Sequence, residues 1–228
     1  MRVRLGILGT GVVGKTIAAG LAGLGHEVMV GTRDPEGTLS RTEPDQHGNP
    51  PFGTWQREHP EVELGTFGEA AAHGEVVVNA TAGSVSLEAL DMAGEENLNG
   101  KVLIDISNPL DFSKGMPPTL SVSNTDSLGE QIQRRFAEAK VVKTLHTMNA
   151  YLMVDPAQLA GGEHTVFVCG DDAEAKGTVS ELLRSMGWTD IIDLGDISTA
   201  RGTEMLMPIW LRLFGALQKP IFNFKVVR

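Results

Sequence analysis

The chain has few of the residue types that would settle its class at once. It has a single cysteine, Cys169, so no internal disulfide can form, and the setting "HTVFVCG" reads as a buried, unreactive thiol in a strand. Its six histidines are scattered, without H-x-x-x-H or C-x-x-C spacing, so no metal site is expected. Basic residues are outnumbered, 19 against 29 acidic, and the formal charge of −10 argues against a nucleic-acid surface. An anionic ligand must then be met by a local cluster of donors. No apolar run approaches the ~18 residues of a membrane span, and "MRVRLGIL" carries no signal-peptide cleavage pattern, so no membrane partner and a cytoplasmic location are expected. The only tyrosine, Tyr151, is followed four places later by Asp155, which argues against Tyr-x-x-x-Lys chemistry. We find no internal repeat or low-complexity tract.

What is present is an alternation of strand and helix signals. "VRLGIL" runs into a glycine turn, and Val13, Ile17, Ala18 and Leu21 then recur at helical spacing. "HEVMVGT", "VVVNATA" and "KVLIDIS" are further apolar runs, as in a parallel sheet covered on both faces. The pattern predicts a doubly wound α/β fold with a Rossmann-type parallel sheet over 1–145. Strand and helix signals continue over 146–228. Between the second strand and "VELGTF" lies a polar stretch of about Asp34 to Pro60, either a flap near the cofactor or a surface insertion. Ser127 and Glu130 form a capping-box pattern opening "LGEQIQRRFAEA", followed by a strand "VVKTLHT". Ser198 is placed to cap one long final helix kinked by Pro208.

The glycine turn satisfies two patterns. Gly9 to Gly14 is G-x-G-x-x-G; Gly9 to Thr16 is also the G-x-x-x-x-G-K-T of nucleotide triphosphatases, and Asp105 ends a strand as a magnesium-supporting acid would. The helix after the turn is short and a second apolar strand follows at once, a βαβ unit of ~30 residues. Gly11 supplies the middle glycine that lets backbone approach a pyrophosphate. The second strand ends in Gly31-Thr32-Arg33, a hydroxyl and a guanidinium suited to a 2′-phosphate, although Asp34 could serve a ribose instead. NADP is therefore preferred to NAD and to ATP, and Lys15 is expected to be a solvated helix residue.

The fold does not say what is reduced. His146, at a strand end, is a candidate acid, and Lys143 is either an acid or a charge at the sheet margin. Hydride exchange between two flat rings needs neither, only alignment and dryness, for which Thr81, Ala82, Met148 and Asn149 offer a lining.

"GILGTGVVGKTIA", "VGTR", "DISNP", "VVKTLHTMNA", "VCGDDAEAK" and "DLGDISTARGTE" occur in this order, and the chain resembles the reduced-F420:NADP oxidoreductase family. It is similar also to the NADP-binding cytosolic domain of the STEAP metalloreductases. The resemblance implies hydride transfer between NADP(H) and the deazaflavin coenzyme F420, a cleft for both that a small C-terminal α/β extension, 146–228, completes, and a homodimer. It assigns the glycine turn to Gly9, Thr10, Gly11, Val12 and Val13, and the 2′-phosphate grip to Thr32 and Arg33. It assigns the nicotinamide-side loop to Asn79, Ala80, Thr81, Ala82 and Gly83, and the cofactor-facing segment to Leu145, His146, Thr147 and Met148. The basic residue expected a few places after Arg33 is missing near Gly37, which leaves Arg41. "HTMNA" also departs from the proline-containing form of archaeal members. Lys114, Arg201, Lys219 and Lys225 are candidate cations for the F420 tail. Two alternatives stand beside this reading: reduction of a flavin or small imine or carbonyl, with His146 or Lys143 as proton donor, and an NADPH-sensing binding protein. Met205, Leu206, Met207, Ile209, Trp210, Leu211, Leu213, Phe214 and Leu217 make the final helix apolar all round, so it must be buried in its own core or against a partner.

Overall fold

The computed structural model describes residues 2–45 and 48–228. In chain order the elements are β1 (Arg4–Leu8), α1 (Val12–Gly23), β2 (Glu27–Thr32), α2 (Pro35–Ser40), α3 (Phe52–Glu58), β3 (Val62–Thr66), α4 (Phe67–His73) and β4 (Val76–Asn79). Then come α5 (Ser86–Ala93), α6 (Glu95–Leu98), β5 (Val102–Asp105), β6 (Leu110–Asp111), β7 (Thr119–Leu120), α7 (Leu128–Arg135) and β8 (Lys140–Thr144). The last are α8 (Ala150–Val154), β9 (Thr165–Cys169), α9 (Ala173–Ser185), β10 (Asp190–Asp193), α10 (Ala200–Glu204) and α11 (Met207–Leu217).

Eight of these strands form one sheet in the order β10-β9-β8-β5-β4-β1-β2-β3, parallel except where β8 meets β9. This is the Rossmann-type α/β architecture. The strands of 146–228 extend the sheet begun in 1–145. Continuous apolar runs form its centre because both faces are covered. On one face Ile17, Leu21, Leu152, Val179 and Leu183 of α1, α8 and α9 pack on β1, β4 and β8. On the other, Ala70, Leu90, Ile132 and Ala200 of α4, α5, α7 and α10 pack on Leu8, Val77 and Leu103. Each fully buried Leu or Ile contributes about 1.5–3 kcal/mol, so two such layers are ample to hold the sheet.

Local signals set the element ends. Thr66 and Glu69 form a reciprocal capping box at the start of α4. At α7 Ser127 Oγ accepts from Glu130 N at 3.1 Å and donates to the Glu130 carboxylate at 2.8 Å. Strand β8 stops at Thr144, earlier than "VVKTLHT" suggests, because Leu145 turns the chain with φ +61°. The polar stretch between β2 and β3 contains α2 and α3, with Phe52 buried in the core.

The C-terminal expectation needs correction. The single kinked helix is two helices, α10 and α11, separated by Met205 and Leu206, and Pro208 lies in the first turn of α11, where its missing N–H has no helical partner to lose. Ser198 is not the cap: Asp196 accepts from Ser198 N at 2.9 Å and caps the short turn before α10. Nor is the apolar helix buried in its own core. Met207 is, but Met205, Ile209, Phe214 and Leu217 are 40–51% exposed. Trp210 stacks between Phe214 and Phe222, at 5.8 and 5.0 Å between ring centres. Among the described residues no helix is long and apolar enough to cross a membrane.

Candidate functional site

The order of the sheet reverses between β1 and β4, and the crevice beyond the carboxyl ends of these strands is where such folds bind ligands. The glycine turn sits there. Gly9 has φ +119° and donates from its N–H to Gly31 O at 2.9 Å, tying β1 to β2. A Cβ on Gly14 would lie 2.0 Å from Gly9 O, so helix and strand pack on bare backbone. Gly11 differs: a Cβ there would meet nothing within 4 Å. That open space in front of the first turn of α1 fits a pyrophosphate, whose charge the free N–H groups and helix dipole would favour.

Beside the turn, Thr32 is buried and its hydroxyl shares a 3.0 Å hydrogen bond with Thr38 Oγ1. Arg33 is exposed and pairs with Glu88 at 3.1 Å, a surface bond that is easily exchanged for a phosphate. Asp34 accepts from Gly37 N at 3.0 Å as the cap of α2, so its carboxylate is already used. Lys15 is not solvated as expected. It is 8% exposed, and its Nζ donates to Pro50 O at 2.9 Å.

The second half of the site is a cleft lined by Val13, Ala80, Thr81, Ala82, Gly83, Ile106, Ser107, Asn108 and Phe112. None of these side chains titrates near neutral pH. The sequence reading assigned the loop from Asn79 to Gly83 but missed Ser107, Asn108 and Phe112. The available signal was their place after β5, equivalent to that of Thr81 after β4.

Behind the wall runs a buried polar chain. Asn79 Nδ2 donates to Asp105 Oδ1 at 2.9 Å and to Ser86 Oγ at 3.1 Å, while Thr81 Oγ1 donates to Asn79 Oδ1 at 2.7 Å. Ser107 donates to Asp105 Oδ1 from N at 3.1 Å and from Oγ at 2.7 Å. Lys143 is the centre. Its Nζ reaches Asp105 Oδ2 at 2.7 Å, Ser107 O at 2.6 Å and Glu204 Oε1 at 2.9 Å. It is therefore neither a sheet-margin charge nor an available acid. Burial pulls the ammonium's pKa down, but Asp105 and Glu204 more than offset this and leave it above the ordinary lysine value. Glu204 also accepts from Leu128 N and Gly129 N at 2.9 and 3.0 Å, so the start of α7 balances the second carboxylate.

His146 is sealed beside this chain, 2% exposed, with its ring against the backbone of Thr144 and Thr203. Burial first, and the Lys143 charge second, hold its pKa well below the usual histidine value. A neutral, enclosed imidazole is a poor proton donor to a cleft. Leu145, Thr147 and Met148 are also buried, and the segment meets the cleft through its backbone, where Asn108 Nδ2 donates to His146 O at 2.9 Å. Asn149 turns inward as the cap of α8, accepting from Tyr151 N at 3.0 Å. Cys169 is buried and its thiol is pushed up to about 11, as an unreactive thiol should be. Of the cations proposed for an anionic tail, Arg201 is held by both Glu130 oxygens at 2.6 and 2.8 Å, and Lys225 by Asp190 at 3.0 Å. Lys114 and Lys219 are exposed.

A glycine turn with open backbone at the switch point of a doubly wound sheet defines a dinucleotide-binding protein of the Rossmann class. Residues 4–109 match the family described as NADP oxidoreductase, coenzyme F420-dependent. The chain is 62% identical to a provisionally assigned F420-dependent NADP-reductase from Arthrobacter sp. FB24, whose crystal structure superposes with a TM-score of 0.96 over 99% of this chain and 100% of that one. It is 26% identical to the F420-dependent NADP reductase of Methanothermobacter marburgensis, covering 90% of this chain and 89% of that protein. It is 29% identical to Metalloreductase STEAP3 of Rattus norvegicus over 91% of this chain, but spans only 38% of that protein's length. An imine reductase from Pseudomonas sp., 18% identical with a TM-score of 0.64 over 96% of this chain and 64% of that one, shares the fold. The chain belongs to the F420-dependent NADP oxidoreductase family.

The geometry separates two roles for glycine. Gly14→Ala is expected to disturb the fold, lowering stability by about 1–3 kcal/mol through overpacking, read as a fall in Tm. Gly11→Val is expected to keep the wild-type Tm and lose NADPH binding in a fluorescence titration, because its side chain occupies only the pyrophosphate space.

His146 has a folded-state pKa below its unfolded value of about 6.5. Above pH 6.5 both states are neutral and nothing is lost. As pH falls below that, the unfolded chain takes up a proton that the folded one refuses, and stability drops by up to about 1.4 kcal/mol per pH unit. Urea unfolding between pH 7 and 5 should show this slope in the wild type and a shallower one in His146→Leu.

Proposed function

We propose that this protein exchanges hydride between NADP(H) and coenzyme F420. The observation that carries the reading is the cleft wall. It offers backbone, hydroxyl, carboxamide and apolar groups, and no side chain that could deliver a proton at neutral pH. When bound, the nicotinamide and the deazaflavin supply the whole redox step, a hydride passed directly between two rings. What remains for the chain is to bind, align and keep water out.

Thr10, Gly11, Val12 and Val13 receive the pyrophosphate at the start of α1. Thr32 and Arg33, with Arg41 across the same mouth, meet the 2′-phosphate. Thr81 and Ala82 would face the nicotinamide, Thr81 being fixed from behind by the Asn79–Asp105–Lys143 chain, and Asn108, bonded to His146 O, would orient the edge of the cleft. Lys114 follows Phe112 at the rim and is the cation best placed for an anionic tail.

Reduction of an imine or carbonyl would need a proton donor, and both candidates, His146 and Lys143, are enclosed behind the wall. A sensor without turnover would show binding alone. Stopped-flow absorbance of F420 mixed with NADPH and purified protein is expected to show rapid bleaching of the deazaflavin, with a flat rate between pH 6 and 8. Brisk reduction of flavin or an imine with the deazaflavin untouched would overturn the assignment.

The exposed apolar side of α11, with Ile209, Phe214 and Leu217, supports a homodimer formed through the C-terminal third, since a patch of that kind marks an interaction surface. Light scattering at micromolar concentration should give twice the 24.4 kDa chain mass. Leu217→Glu with Ile209→Glu should return the monomer.

A further inference from the structure

Lys15 is the residue through which the glycine turn fits the triphosphatase pattern, yet its ammonium is bonded to the segment that follows α2. Its Nζ donates to Pro50 O at 2.9 Å. Burial lowers its pKa and the Asp45 carboxylate opposes that shift. Pro51 opens α3, where Phe52 is buried in the core and Gly53 lies against the end of α2, a Cβ there being 3.1 Å from Leu39 O. One residue before Leu39, Thr38 is bonded to Thr32. The first turn of α1, the start of α3, the end of α2 and the end of β2 are thus tied in a closed ring.

That ring borders a cavity lined by Gly11, Lys15, Ser40, Arg41 and the acidic Glu43 and Asp45 among others. It runs from the free space at Gly11 to Thr38 and Ser40 of α2, where Thr38 is bonded to Thr32 of β2, beside the span that the adenosine ribose of a dinucleotide occupies in this fold. Arg41 has no ion pair among the described residues and is the guanidinium of an outer wall that also carries Glu43 and Asp45.

We propose that Lys15 is a specificity-determining positioning residue: by holding Pro50 it fixes the wall that presents Ser40 and Arg41 to the 2′-phosphate, so that it selects NADPH over NADH without touching the phosphate. The inference rests on the reading that the protein uses NADP(H). Unlike a P-loop lysine, this one acts through the chain it anchors.

The test measures NADPH and NADH affinities for wild type, Lys15→Met, Arg41→Ala and the double variant. Lys15→Met keeps the aliphatic stem and removes the donor. It is expected to weaken NADPH about tenfold or more, the worth of one charge-assisted hydrogen bond, while leaving NADH nearly unchanged. In the Arg41→Ala background the same change should cost little further NADPH affinity, because the two residues act on one contact. Equal losses for both cofactors, no loss, or fully multiplicative losses would overturn the proposal. A wild type without preference for NADPH would instead remove the reading on which it rests. Should Lys15→Met fail to fold, hydrogen exchange on the wild type decides: NADPH must protect the amides of 38–42 more than NADH does, and equal protection refutes it.

Discussion

A lysine ammonium at the centre of the molecule imposes the strictest condition on this structure. Lys143 is fully enclosed, and a charge removed from water is stable only with partners in close geometry. It has three, from two separate segments: Asp105 at the end of β5 and the backbone of Ser107 just after it, and Glu204 from α10. Removing any one would leave an unpaired charge or carbonyl in a dry interior, so these segments cannot move independently. Because Asp105 also gathers Asn79 and Ser107, both sides of the cleft answer to the same ammonium.

The same charge explains the chemistry left to the site. By repelling a second positive charge, it helps keep His146 neutral, and the packing of α10 encloses both. The protein thereby forgoes proton transfer at the cleft and gains a rigid wall of dipoles, an arrangement suited to aligning two rings.

The adenosine end is built differently. There the polar stretch after β2 folds back over the glycine turn, with Phe52 buried in the core and Lys15 bound to Pro50. A polar insertion with ordinary turn composition becomes part of the wall of a cavity beside the glycine turn. Its polarity reflects the cavity it lines.

Local chemistry was legible in the sequence. The glycine spacing, the period-two and period-3.6 patterns and the Ser127 cap depend on neighbours a few residues away, and they led to the Rossmann sheet, the βαβ unit and the dinucleotide. The hydroxyl and guanidinium that close β2 pointed to NADP for the same reason. The partners of charged side chains were not legible, because they come from segments far apart in the chain. Lys15 looked solvated until Pro50, 35 positions on, came to lie beside it. Lys143 looked like a sheet margin until Glu204, brought back by α10, closed on it. Ser107, Asn108 and Phe112 could be read only from their place after β5, and became the cleft wall when β5 was set beside β4. Strand order and helix docking decide which buried charges meet, and with them whether a histidine or lysine is a catalyst or a support.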